Sequence, residues 1–152
     1  MSQKYTVKHY KDLTTAELYD LLRLRNEVFI VEQNCSYLDL DNKDQQCYHV
    51  LYYLDDQLAG YTRLLPSGLS FNDVAIGRVV VSPLHRGTGL GKKLMEASIN
   101  CCYDKFGHSS IRISAQKRLL KFYQTLGFKA EGEPYYEDGI LHVEMVKIKI
   151  IL

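Results

Sequence analysis

The chain has 152 residues, 46% hydrophobic and 24% charged, with 19 basic against 18 acidic side chains for a formal net charge of +1. That balance is ordinary for a soluble globular protein and provides no strong field for nucleic acid or an anionic membrane, so neither is expected as a partner. The length suits a single domain over residues 1–152. Residues 1–12 carry no apolar signal segment and no apolar run approaches ~18 residues, which together predict a cytoplasmic protein.

Residues 4–10 alternate as an opening strand. Thr14 and Glu17 form a capping box that starts a helix running to about residue 31. Its core stripe is Leu18, Leu21, Leu22, Val28 and Phe29, interrupted by Arg25. Residues 32–46 are polar and acidic, with Asp39, Asp41 and Asp44, and read as a long loop or broken helix. Residues 48–54 and 58–65 flank the polar turn Asp55-Asp56-Gln57 as a hairpin. Val74–Val81 reads as the fourth strand, and the helix after it returns the chain to a parallel neighbour at residues 111–115. Residues 117–126 form a helix closed by Gly127, and residues 141–150 a long final strand. Repeats and low-complexity tracts are absent, and this order predicts one mixed α/β sheet with helices on both faces. Cys35, Cys47, Cys101 and Cys102 lack Cys-x-x-Cys spacing. Cys35, Cys47 and His49 include metal-ligand types, but free thiols are expected, with no disulfide and no metal.

The segment that carries most chemistry is residues 78–96. A β-branched run ends at Ser82-Pro83, three glycines follow at Gly87, Gly89 and Gly91, and helical periodicity begins with Leu90, Leu94, Ala97 and Cys101. A strand, a glycine-rich turn and a helix N-terminus in that order bring together backbone N–H groups that suit an anion. Arg86, Lys92 and Lys93 crowd the helix start, where cations are disfavoured by ~0.3–1 kcal/mol each. A bound anion accounts for that inversion; lysines on a solvated side would also accommodate it. A nucleotide-hydrolysing Walker A loop is disfavoured, because Arg86 stands where its first glycine belongs and Lys93 where Ser or Thr would ligate magnesium. The dinucleotide fingerprint fails at Lys92.

The remaining pattern, Arg86-Gly87-Thr88-Gly89-Leu90-Gly91, resembles the pyrophosphate loop of the GNAT N-acetyltransferases. Leu120-Lys121-Phe122-Tyr123-Gln124-Thr125-Leu126-Gly127-Phe128 resembles a second signature of that family, in which a tyrosine precedes Leu-Gly-Phe. Residues 28–35, the acidic loop and residues 137–145 resemble its ElaA-like branch. The resemblance implies a mostly antiparallel mixed sheet with one parallel, splayed strand pair, acetyl-CoA as cofactor, and possible homodimers. It places coenzyme A against Val79, Val80, Val81, Arg86, Gly87, Thr88, Gly89, Leu90, Gly91, Lys92, Gln116 and Phe122.

Acetyl transfer to an amine requires a held donor, a polarised carbonyl, a neutral amine and a stabilised leaving thiolate. Glycines let the pyrophosphate approach the backbone of residues 87–91, and a free N–H on the splayed strand can polarise the carbonyl. Tyr123, by the family match, is the expected general acid; a phenol of pKa ~10 stays protonated at neutral pH. An aliphatic amine of pKa ~10.4 must lose a proton, with Glu32, His142, Glu144 or water to take it. His142 and Glu144 share a strand face by period-two alternation. Arg25 and Arg78 interrupt apolar stretches, so each must pair with the acidic loop or recognise an acidic group on the acceptor. The acceptor site is therefore expected among Arg25, Glu32, Arg78, His142 and Glu144. Asp39, Asp41 and Asp44 are either solvated or suited to a cationic acceptor. A small-molecule or peptide amine is the expected acceptor, and a non-catalytic acyl-CoA-binding sensor is the competing function.

Overall fold

The structure, a computed structural model, describes residues 2–149. Its strands are β1 (Gln3–His9), β2 (Tyr48–Leu54), β3 (Gln57–Leu65), β4 (Val74–Val81), β5 (Ile111–Gln116), β6 (Lys129–Glu137) and β7 (Ile140–Lys147). Its α-helices are α1 (Thr15–Arg25), α2 (Leu90–Phe106) and α3 (Leu120–Thr125). The strands form one sheet in the order β1-β2-β3-β4-β5-β7-β6, antiparallel throughout except for the β4–β5 pair.

Alternation along the strands assigns the helices to opposite faces. On β2, Val50, Tyr52 and Leu54 join the cluster containing Leu94 and Met95 of α2 and Tyr123 of α3. Leu51, between them, joins Leu21 and Leu24 of α1 on the other face. Complete burial of a leucine such as Leu21 contributes about 1.5–3 kcal/mol, so these two seams hold the layers together.

Local signals account for most element ends. Thr14 accepts from the Glu17 N–H while Glu17 accepts from the Thr14 N–H, completing the capping box. The predicted helix continues past Arg25, but as a π-helical stretch over Asn26–Glu32. Asp55 and Asp56 have φ of 48° and 66°, so β2 and β3 are joined by a two-residue turn with both residues left-handed. Helix α3 is shorter than expected, since residues Lys117–Leu119 form a 3-10 turn before it. Strand β7 stops at Lys147, and Ile150, the expected end, lies outside the described residues.

One strand was not anticipated. Residues of β6 are almost all exposed and polar, with Gly132 and Pro134 inside, so no period-two pattern marks it. It pairs with β7 through the turn at Asp138 and Gly139, whose φ values are 51° and 77°. Proline and a register shift between Glu131 and Tyr135 suit an outer strand whose free edge must not recruit another chain.

The loop between the π-helical stretch and β2 is pinned by buried charge. Arg25, 0% exposed, donates to Asp39 at 2.9 Å and to Asp44 at 2.9 Å. Arg63 of β3 donates to both Asp41 oxygens at 2.8 Å and to Asp44 at 2.8 Å. Arg78 donates to Asp39 at 2.8 Å and to Asp41 at 3.4 Å. Three arginines thus neutralise three aspartates, and the acidic loop is internally compensated rather than solvated. Below it, the His49 Nε2–H donates to the Asp44 carbonyl at 2.9 Å, leaving Nδ1 to accept from the Tyr61 hydroxyl at 2.6 Å. The four cysteines are free thiols; Cys47 Sγ donates to the Lys43 carbonyl. No group of three or more metal-ligating side chains comes together among the described residues.

Burial by itself would raise the Asp41 and Asp44 carboxyls, but the hydrogen bonds and charge of Arg63, Arg25 and Arg78 prevail and hold both below the usual range. Such groups contribute their full stability above the unfolded carboxyl pKa, about 3.9, and lose it as pH falls toward their folded values. The melting temperature is therefore expected to drop below about pH 4. Asp44→Asn, which leaves Arg25 and Arg63 undercompensated, should cost about 3–5 kcal/mol at neutral pH in urea unfolding and flatten the acid drop. A cost under about 1 kcal/mol would show that the network is not holding the loop.

Candidate active site

Strands β4 and β5 pair in parallel only at Val74–Ile111 and Ala75–Arg112, then diverge. The β4 edge beyond Ala75 is therefore left with unpaired backbone donors and acceptors facing β5. A bulge precipitates the divergence: the β3–β4 register shifts between Tyr61 and Arg63, and Arg78 on the opposing strand has φ of 51°. A left-handed arginine costs roughly 1–2 kcal/mol, and the bonds from its guanidinium to Asp39 hold it there. Between the splayed strands lies a cavity of about 1030 Å³, walled by β4, the glycine turn, α3, the π-helical stretch and the β6–β7 hairpin.

At one end is the start of α2. Gly87 and Gly89 have φ of 76° and 80°, which any side chain would strain, and nothing lies within 4 Å of where their Cβ atoms would be. No side chain caps the helix, and its first turn carries no acid. An open concavity of N–H groups at the positive end of a 17-residue helix is what a pyrophosphate requires. The Phe122 ring packs beside Gly91, which couples α3 to this end.

The cavity wall includes Val79, Val80, Val81, Arg86, Gly87, Gly89, Leu90, Gly91, Gln116, Phe122, Tyr123, Glu32, Arg78 and His142. Thr88 donates its hydroxyl to the His85 carbonyl at 2.7 Å, which leaves its backbone N–H to the glycine turn, and the Lys92 side chain is exposed at the start of α2. Two expected residues stand elsewhere. Arg25 lies wholly inside the charge network, so it cannot meet an acceptor. Glu144 shares the His142 face of β7 but lies one repeat further along it, beside Glu131, where Arg112 claims it at 3.3 Å and it does not line the cavity. Asp39, Asp41 and Asp44 are taken up by arginines and provide no free acidic patch for a cationic acceptor.

Tyr123 is 5% exposed, and burial pushes its hydroxyl up to about 12. That hydroxyl bonds no other described side chain, while the ring packs edge-on against Phe122 and Phe128. Glu32 is held by two hydrogen bonds from Arg86, at 2.8 and 2.5 Å, which with the Arg86 charge lower its carboxyl below the usual range. His142 is differently placed. Its Nδ1–H donates to the Ile140 carbonyl at 2.7 Å, which leaves Nε2 as the lone-pair nitrogen, 3.4 Å from Glu137. The Tyr135 ring stacks on the imidazole, and Ser114 links the Tyr135 hydroxyl to Glu137. Glu137, Arg63 and Lys43 also stand at the cavity without belonging to the expected set; of these Arg63 carries a local signal, a charge inside the apolar run of β3.

A family model for the acetyltransferase (GNAT) domain matches residues 10–149. Protein ElaA of Escherichia coli is 40% identical over 141 residues, 91% of this chain and 92% of its own. The crystal structure of Escherichia coli ElaA superposes with a TM-score of 0.89 at 37% identity, covering 96% of this chain and 99% of that one. The crystal structure of an acyl-CoA N-acyltransferase from Pseudomonas aeruginosa gives a TM-score of 0.91 at 42% identity, with coverage of 96% and 99%. The splayed pair, the glycine turn and these relationships agree: the chain belongs to the GNAT acetyltransferase family, in its ElaA-like branch, and is an acyl-CoA-dependent N-acyltransferase.

Proposed function

We propose that the protein transfers the acetyl group of acetyl-CoA directly to a primary amine of a small molecule or peptide, with both substrates bound at once. The observation that carries this reading is the continuous cavity between β4 and β5, with the uncapped α2 N-terminus at one end and Tyr123 and His142 on its walls. Two substrates can meet in it without a covalent enzyme intermediate, and no cysteine lines it.

Acetyl-CoA supplies the activated thioester. The N–H groups of residues 87–91 hold its pyrophosphate, and Arg86 adds charge beside them. The unpaired edge of Val79, Val80 and Val81 would hold the pantetheine arm and would supply an N–H to polarise the thioester carbonyl. Tyr123, in the cavity wall, would offer its hydroxyl to the thioester sulfur. A phenol at about 12 stays protonated at neutral pH. Full proton transfer from it to a thiolate near 8.5 is uphill by roughly 5 kcal/mol, so Tyr123 works chiefly by hydrogen bonding the leaving sulfur as charge develops. The Nε2 of His142 takes the amine proton, and Glu137 stabilises the resulting imidazolium. Glu32, engaged by Arg86, is a poorer base.

Titration calorimetry with acetyl-CoA, followed by a thiol-release assay over an amine panel, tests the reading. Binding with amine-dependent thiol release is expected; binding with none across the panel would favour an acyl-CoA sensor. Tyr123→Phe keeps the ring contacts and removes one hydrogen bond to a developing charge, so turnover should fall about ten- to a hundredfold with coenzyme A affinity within a few-fold. Unchanged turnover removes Tyr123 from the mechanism. His142→Asn should lower turnover about a hundredfold, with coenzyme A affinity unchanged. Gly89→Asp sets strain and negative charge against the pyrophosphate and should abolish coenzyme A binding; retained affinity would show the anion site lies elsewhere.

A further inference from the structure

The end of the cavity opposite the glycine turn has a cationic surplus. Around the acidic loop, Arg25, Arg63 and Arg78 balance Asp39, Asp41 and Asp44. Lys43 is then left over: it lines the cavity, has no carboxylate within 4 Å among the described residues, and its ammonium bonds only the Ser70 hydroxyl, at 2.8 Å. Arg118, the other wall cation without such a partner, sits beside Gln116 toward the coenzyme A end. Arg63, 3% exposed and also in the wall, keeps its Nε–H buried without an acceptor. That Nε–H is closed off from the cavity and the rest of the guanidinium is engaged by Asp41 and Asp44, so at this end Lys43 is the cationic donor that a ligand can reach.

The lining between this recess and the reaction centre is apolar. Leu65 and Ala75 cluster with Cys47, whose thiol bonds the Lys43 carbonyl, and Phe71 packs on them. Ala75 precedes Val79 by four residues, about 13 Å along β4. An acceptor reaching from Val79 to Lys43 therefore needs several methylene groups and an anionic end.

We propose that the acceptor is an amine joined through an aliphatic spacer to a carboxylate, the carboxylate held by Lys43 at the Ala75 end of the cavity. This rests on the transfer reading above and reverses the cationic acceptor suggested by the acidic loop in the sequence. Across the cavity, Glu137 and Asp138 face the amine end, so the two ends of the acceptor meet opposite charges.

The test is titration calorimetry of ε-aminohexanoate, hexylamine and hexamethylenediamine against the protein saturated with coenzyme A and, separately, without it. Wild type should bind ε-aminohexanoate about tenfold more tightly than hexylamine, since one charge-assisted contact distinguishes them, and hexamethylenediamine most weakly. Lys43→Gln should erase the preference, and Lys43→Glu should reverse it in favour of hexamethylenediamine. Among the described residues the Lys43 ammonium hydrogen-bonds only Ser70, and coenzyme A affinity in the same titrations reports that each variant is folded. Equal binding of all three, undetectable binding of all three, or a preference that survives both substitutions overturns the proposal. Failure of coenzyme A itself to bind would overturn the transfer reading instead, and the coenzyme-free titrations would still read the carboxylate preference.

Discussion

The constraint on which the rest depends is the neutralisation of Arg25, Arg63 and Arg78 by Asp39, Asp41 and Asp44. Each arginine comes from a different element, α1, β3 and β4, and all three aspartates come from one loop. Removing a single member strands a charge at a cost of several kcal/mol, so the loop has one seat. That seat has a consequence for the sheet. Asp39 grips Arg78 at the bulge, the bulge bends β4, and the bent strand leaves β5 after two paired residues. The cavity is the space so opened.

At the other end of β4 the structure withholds stabilisation from a helix. A start without a capping side chain, without acids in its first turn and with glycines at left-handed φ is poor helix design in isolation. It is good design for an anion that supplies the missing acceptors and charge. Helix α1, by contrast, has a full capping box and no ligand to wait for. The two helix starts in one chain differ in whether the chain itself completes the cap, and the incomplete one borders the cavity.

Legibility followed the range of the interaction. Thr14 with Glu17, the left-handed Asp55-Asp56 turn and the turn from Arg86 to Gly91 are each closed within a few residues, so the sequence displays them in full. Strand β6 escaped because its evidence is non-local: an outer strand needs no buried face, and its residues are polar. The Asp138-Gly139 turn was the signal that could have revealed it. In the site, His142 and Glu144 look equivalent by alternation. The tertiary structure separates them, because Arg112 claims one and the Ile140 carbonyl and Glu137 orient the other. Arg25 and Arg78 were recognised as needing partners, but their bonds to the acidic loop depend on residues 14 to 39 positions away.

The sequence by itself determined the glycine turn, the helix that follows it, the tyrosine helix and the alternation of most strands, because backbone φ, capping and periodicity are properties of neighbouring residues. Only the tertiary structure decided that the acidic loop is neutral, that β4 and β5 part, and that the far end of the cavity is left with an unpaired lysine. Those outcomes depend on which charges meet after the chain has folded, and charge pairing across tens of residues leaves no local pattern to read.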